Sequence, residues 1–386
     1  MAPTAARARS GPIDALRGGS VIAVILLHMN LRVHFDDCAL GLALPKAVYH
    51  FLFWSGYPAV IVFFVISGFL ITAMSEERWG SFRALDVKSF YRIRFARIAP
   101  CLLLFVVVQA ALQAGHVPGF FDETPAASLP RTVLAALTFH VNWLEAKFGY
   151  LPGAWDVLWS LGIEELFYLG FPLAVRALSP LPVLVTALGA LVGIGPFARV
   201  ALSTNPIWMD HSYLSCMGEI ALGCLAAIVI RRRPLRGSTA VIVMSIGLGL
   251  MSLPLFFRRT ALRLGLYATG LDVTVLALGA ACVLMSLVAL PRLEEHRAFA
   301  LLRPLTWFGR NSYEVYLSHL FVVVPLVLLF KRTGFRAAWI PALYAVAIVA
   351  SGVVGSVLAD TFSRPLTARL RGGRGAVEVI AAETRS

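Results

Sequence analysis

Ten apolar runs, each long enough to cross about 30 Å of hydrocarbon at roughly 1.5 Å per residue, begin near residues 14, 52, 98, 158, 181, 212, 238, 265, 313 and 338. A chain punctuated in this way is expected to fold as an all-α, polytopic membrane helix bundle of about ten transmembrane helices. Composition agrees, since 59% of the 386 residues are apolar and only 14% are charged, too little charge to clothe a soluble core of that size. The net charge of +13 does not mark a nucleic-acid surface, because the positive residues fall between apolar runs, at Arg78 to Arg97, Arg231 to Arg236, Arg292 to Arg303 and Arg364 to Arg374. This is the loop asymmetry of a multi-pass cell-membrane protein, with the lipid bilayer as its first partner.

The same asymmetry decides a shorter eleventh segment, Arg131 to Leu144. With Arg7, Arg9 and Arg17 inside, two spans return the basic loop between Ser75 and Arg97 to the cytoplasm. Counting the short segment as a span would put RRRPLR, Arg231 to Arg236, outside; reading it as re-entrant or interfacial puts that run inside. Ten spans with both termini cytoplasmic are expected, which leaves two small basic clusters outside, Arg258 to Arg263 and Lys331 to Arg336. The expected division is a cytoplasmic tail over 1–12, a membrane domain over 13–361 and a cytoplasmic tail over 362–386. The opening MAPTAARARS resembles a signal-peptide n-region, but the run behind it lacks a small-residue cleavage site and carries His28, so a retained first span is expected. Cys38, Cys101, Cys216, Cys224 and Cys282 have no metal-ligand spacing, so neither a metal site nor a disulfide framework is expected.

A charged side chain at a helix centre costs about 2.5 to 3.5 kcal/mol on insertion scales, so ionisable residues inside the runs draw attention: His28, Glu164, Glu165, Glu219, Asp272 and His319. Arg17 precedes His28 by eleven residues, and at about 100° per residue the two share one helix face, separated by roughly 16 Å of rise. That places Arg17 near a membrane boundary and His28 deep in the hydrocarbon layer, where an imidazole can serve as general base for a hydroxyl or as a structural hydrogen-bonding group. In WSLGIEELFYL, Ser160, Glu164 and Tyr168 recur every fourth residue as a polar stripe, while Glu165 points about 100° away. In NSYEVYLSHLFVV, Ser312, Tyr316 and His319 share a face, although capping by Asn311 or Ser312 explains part of that pattern. Arg94 and Arg97, neighbours on one face of YRIRFARIAP, suit either a membrane-surface anchor or a guanidinium fork for phosphates of a cytosolic cofactor. Ser67 and Gly68 in FFVISGFLI are expected to permit close helix packing.

Taken in order, IDALRG with Arg17 and, after ten intervening residues, His28, then FFVISGFLI, YRIRFARIAP, WSLGIEELFYL and SYEVYLSH resemble acyltransferase family 3, the integral membrane O-acyltransferases. The resemblance extends from residue 13 to residue 319. It implies transfer of an acyl group, commonly acetyl from acetyl-CoA, to a hydroxyl of a carbohydrate-containing acceptor. It also implies that Arg17 and His28 form the core functional pair, that Arg94 and Arg97 form a second, and that the family's first glutamate falls on Glu164. The chain departs from the family at TFSRPL, where Ser363 stands in place of a glutamate before Arg-Pro. Short tails and an arginine-over-lysine bias look more like the macrolide 3-O-acyltransferase branch than the members acting on surface polysaccharides.

The expected reaction brings acyl-CoA from the cytoplasm, with its phosphates on Arg94 and Arg97 and its pantetheine arm passing Arg17. His28 then deprotonates an acceptor hydroxyl, or accepts the acyl group itself. Glu164 is expected to orient the acceptor or His28, and Ser160, Tyr168, Tyr316 and His319 to line the path. A proton-coupled exporter using His28, Glu164 and Arg17 is the alternative from another class.

Overall fold

A computed structural model describes residues 11–123, 127–290, 297–334 and 336–371. Most of the two expected tails, 1–10 and 372–386, lies outside the described residues, as does 291–296 of the basic loop before Arg303. Among the described residues there is no strand, and ten helical segments are long and apolar enough to cross a membrane. That outcome follows from the lipid, where only a helix satisfies its backbone within a single segment.

The helices used below are α1 (Gly11–Asn30), α2 (Gly56–Trp79), α3 (Val87–Ala114), α4 (Leu129–Leu137), α5 (Val141–Phe148), α6 (Leu158–Ala177), α7 (Leu181–Ala201), α8 (Pro206–His211), α9 (Tyr213–Arg232), α10 (Gly237–Leu255), α11 (Leu271–Ala289), α12 (Arg303–Arg310), α13 (Ser312–Thr333), α14 (Ile340–Leu358) and α15 (Arg364–Leu370). The segment from Arg131 to Leu144 breaks into α4 and α5, with Phe139 between them in a left-handed conformation (φ 61°). Nine residues of α4 rise only about 13 Å, too little to cross. Arg231 and Arg232, which close α9, reach Glu76 near the end of α2 at 3.6 Å and 3.0 Å, so the RRRPLR run shares one end of the bundle with the close of α2.

Helices α2 and α9 are central, with 72% of each span buried, whereas α10 is peripheral at 11%. The α2–α9 crossing is backbone against backbone: a Cβ on Gly68 would collide with the carbonyl oxygen of Ile220, and one on Gly223 with that of Val65. Rotamer changes cannot relieve a clash with main chain. Gly68→Val is therefore expected to destabilise the fold by about 1 to 3 kcal/mol, read as a lowered unfolding midpoint in detergent, and an unchanged midpoint would contradict this packing.

Two apolar cores result, one built on α2, α6, α9 and α11, the other on α1, α3, α13 and α14, and Tyr313 and Tyr316 pack against both. Polar side chains collect along this seam. At the family departure, Ser363 donates to Glu314 Oε1 at 2.7 Å, and Arg364 donates to Asn311 Oδ1 at 2.7 Å. A glutamate at 363 would face Glu314 carboxylate to carboxylate, so serine suits this local arrangement.

Candidate active site

Helix α6 is the spine of the site. Its polar residues recur every four positions, so Ser160, Glu164 and Tyr168 rise along one face over roughly 12 Å, and neighbouring helices supply partners at each level. At the top level Ser160 Oγ and Tyr316 OH are 2.7 Å apart, and the Tyr316 hydroxyl also donates to Val157 O at 3.1 Å. One turn along, Glu164 Oε1 accepts hydrogen bonds from Ser67 and Tyr168. At the far level the Arg94 guanidinium stacks 4.1 Å from the Tyr168 ring centre, a geometry a planar guanidinium suits better than an ammonium.

Above Tyr316 the seam ends in two imidazoles. His28 and His319 face each other with ring centres 5.1 Å apart. His319 Nδ1 lies 2.6 Å from the Tyr316 carbonyl oxygen, which can only accept. The proton is therefore on Nδ1, and Nε2 is left as a free base. That Nε2 is buried with no hydrogen-bond partner, an arrangement a bound hydroxyl or a proton arriving from His28 would satisfy. Beside the pair, Arg32 donates to the His28 carbonyl oxygen at 2.9 Å and lies in electrostatic range of Asp156.

The structure thus brings together His28, His319, Tyr316 and Ser160, and continues that group through Glu164 and Tyr168 to Arg94. It does not bring Arg17 to His28. Arg17 pairs with Asp14 at 3.6 Å, and Arg310 of α12 approaches the same carboxylate at 3.8 Å. Arg97 lies within electrostatic range of Tyr313. Helix α1 begins at Gly11, so His28 occupies its last turn.

Two members of the site were missed in the sequence. Ser67 is expected from the sequence to permit close helix packing. Gly68 does so, but the Ser67 hydroxyl touches both Glu164 and Tyr168. Its partners lie 97 and 101 residues away, beyond any local pattern. Arg32 carries a local signal, four residues after His28 at the end of an apolar run. Ser67→Ala would strip Glu164 of one of its two hydroxyl donors. At about 1.5 to 3 kcal/mol for a hydrogen bond to a charged group, turnover is expected to fall about tenfold or more with the unfolding midpoint near that of the wild type. Undiminished turnover would remove Ser67 from the site.

Residues 12–361 match the family described as "Acyltransferase domain". Among curated proteins, the chain is 28% identical over 331 residues to the peptidoglycan O-acetyltransferase OatA of Listeria monocytogenes, a match covering 80% of this chain and 48% of that protein. It is 24% identical over 338 residues to the O-acetyltransferase OatA of Staphylococcus aureus, covering 81% of this chain and 50% of that protein. The chain spans about half the length of these relatives. No solved structure matches it.

Proposed function

The chain belongs to the acyltransferase-domain family over residues 12–361, and from that premise we propose that it is a membrane O-acyltransferase moving an acetyl group from acetyl-CoA to a hydroxyl of a carbohydrate-bearing acceptor. The observation that carries this reading is the buried His28–His319 pair, one imidazole with a free Nε2, at the end of a polar line running back to Arg94. A line of this kind gives a thioester donor and a hydroxyl acceptor separate approaches to one base. The names of the relatives, peptidoglycan O-acetyltransferase and O-acetyltransferase, favour a glycan hydroxyl. A macrolide sugar belongs to the same chemical class and is the second acceptor to try.

The catalytic unit in this proposal is 13–361, with the Arg94 end facing the cytoplasm. Arg94 and Arg97 hold the phosphates of the donor, and the pantetheine arm lies along Tyr168 and Glu164. An imidazole of the pair takes the proton of the acceptor hydroxyl as its oxygen attacks the thioester carbonyl. The tetrahedral intermediate collapses with cleavage of the C–S bond, and the departing coenzyme A sulfur takes the proton back from the imidazolium. Ser160 and Tyr316 present hydroxyls close to the reacting atoms, and Glu164 keeps the stripe ordered through Ser67 and Tyr168. Direct transfer and transfer through an acyl-histidine use the same placement.

Purified protein in vesicles, supplied with labelled acetyl-CoA and either peptidoglycan fragments or a glycosylated macrolide, is expected to place label on the acceptor hydroxyl. Absence of transfer to either acceptor, together with pH-driven solute flux across the vesicle wall, would replace this reading with the exporter.

A further inference from the structure

Behind the histidine pair, on the side away from Arg94, three side chains from separate segments converge: Glu145 of α5, Asp156 in the turn that opens α6, and His211 at the end of α8. One ligand atom from each lies within 4.8 Å of the others, and His211 Nδ1 is 3.7 Å from Glu145 Oε2. Each of the three residues also carries a buried polar atom without a hydrogen-bond partner, namely Glu145 Oε2, Asp156 Oδ1 and His211 Nδ1. Glu145 is fully enclosed and His211 is 7% exposed. Two carboxylate oxygens and an imidazole nitrogen gathered this closely, with few other partners, call for a proton or a cation between them.

We propose that these residues bind one divalent transition-metal ion of the zinc class. An imidazole beside two carboxylates departs from the all-oxygen shells that magnesium and calcium take, and matches the nitrogen and oxygen donors of zinc. Closing three atoms around one ion at about 2.0 to 2.2 Å needs only small side-chain shifts from their present separations. The surroundings already fix the ligands. The His211 ring stacks on Trp159 at 3.9 Å with the planes 2° apart, and its carbonyl oxygen accepts from Asn142 at 2.9 Å. The backbone N–H of Leu151 donates to Glu145 Oε1 at 3.3 Å, turning Oε2 towards the other two. Such outer contacts are what hold metal ligands in register.

The ion would tie α5 and α8 to the opening of α6, immediately before the Ser160–Tyr316 contact. Its role is to position the N-terminal end of the site's spine, and it acts on the reaction only through that placement. No spacing along the chain announces the site, because the ligands come from three segments and none is a cysteine. The inference stands whether or not the chain transfers acyl groups.

Elemental analysis of the purified protein, followed by chelation and titration with zinc chloride, tests it directly. About one zinc per chain is expected, with an unfolding midpoint that falls on chelation and returns when zinc is restored. Glu145→Gln and His211→Asn are expected to weaken zinc binding at least about 100-fold, beyond the 10–100-fold typical of outer-shell changes. A wild-type protein that takes up no zinc and whose midpoint is unmoved by zinc or chelator would overturn the proposal and leave a proton shared among the three groups.

Discussion

His28→Ala is expected to lower the rate of acetyl transfer by about 10²- to 10⁴-fold, the range that removal of a positioned general base produces, while leaving donor affinity close to wild type. The separation follows from position. His28 is in the last turn of α1 against His319, whereas Arg94 stacks on Tyr168 two helical turns down α6 from Ser160. His319→Ala is expected to be of similar severity, because the free Nε2 of His319 and the His28 ring form one unit. The double variant should then cost little more than either single one, since residues acting together are strongly non-additive. Initial rates at saturating acetyl-CoA check both statements, and a double variant whose loss is the product of the two singles would separate the histidines into independent roles.

Arg94→Ala is expected to act on the other half of the reaction, raising KM for acetyl-CoA about 10- to 100-fold. That is the effect of losing one charge-assisted hydrogen bond of about 1.5 to 3 kcal/mol. Arg94→Lys is expected to rescue only part of this loss. The Arg94 guanidinium sits over the Tyr168 ring, 4.1 Å from its centre, and can present a fork to phosphate oxygens, whereas an ammonium keeps the charge but not the plane. Full rescue by lysine would reduce Arg94 to a point charge at the membrane surface.

The spans were legible in the sequence because bilayer thickness fixes their length. The ten expected starts match ten helices, and α3 differs most, opening at Val87 where the apolar run begins near 98. The polar first turns of α3 hid its beginning, and they carry Arg94 and Arg97. The stripe on α6 was legible for the same reason, a period of four on an apolar background, and all three of its residues point into the site. Legibility ended where partners come from distant segments. Nothing local to FFVISGFLI distinguishes Ser67 from a packing residue, and nothing local to Glu145, Asp156 or His211 shows that they converge. The eleven-residue step from Arg17 to His28 placed both on one face of α1, but not what each meets: Arg17 meets Asp14, and His28 meets His319.

The division of labour between the two ends of the seam is tested most directly by measuring acetyl-CoA binding and turnover side by side in wild type, His28→Ala and Arg94→Ala. Binding retained with turnover lost in His28→Ala, and binding weakened in Arg94→Ala, is the expected result. A His28→Ala protein that binds and transfers as wild type does would remove the histidine pair from the chemistry.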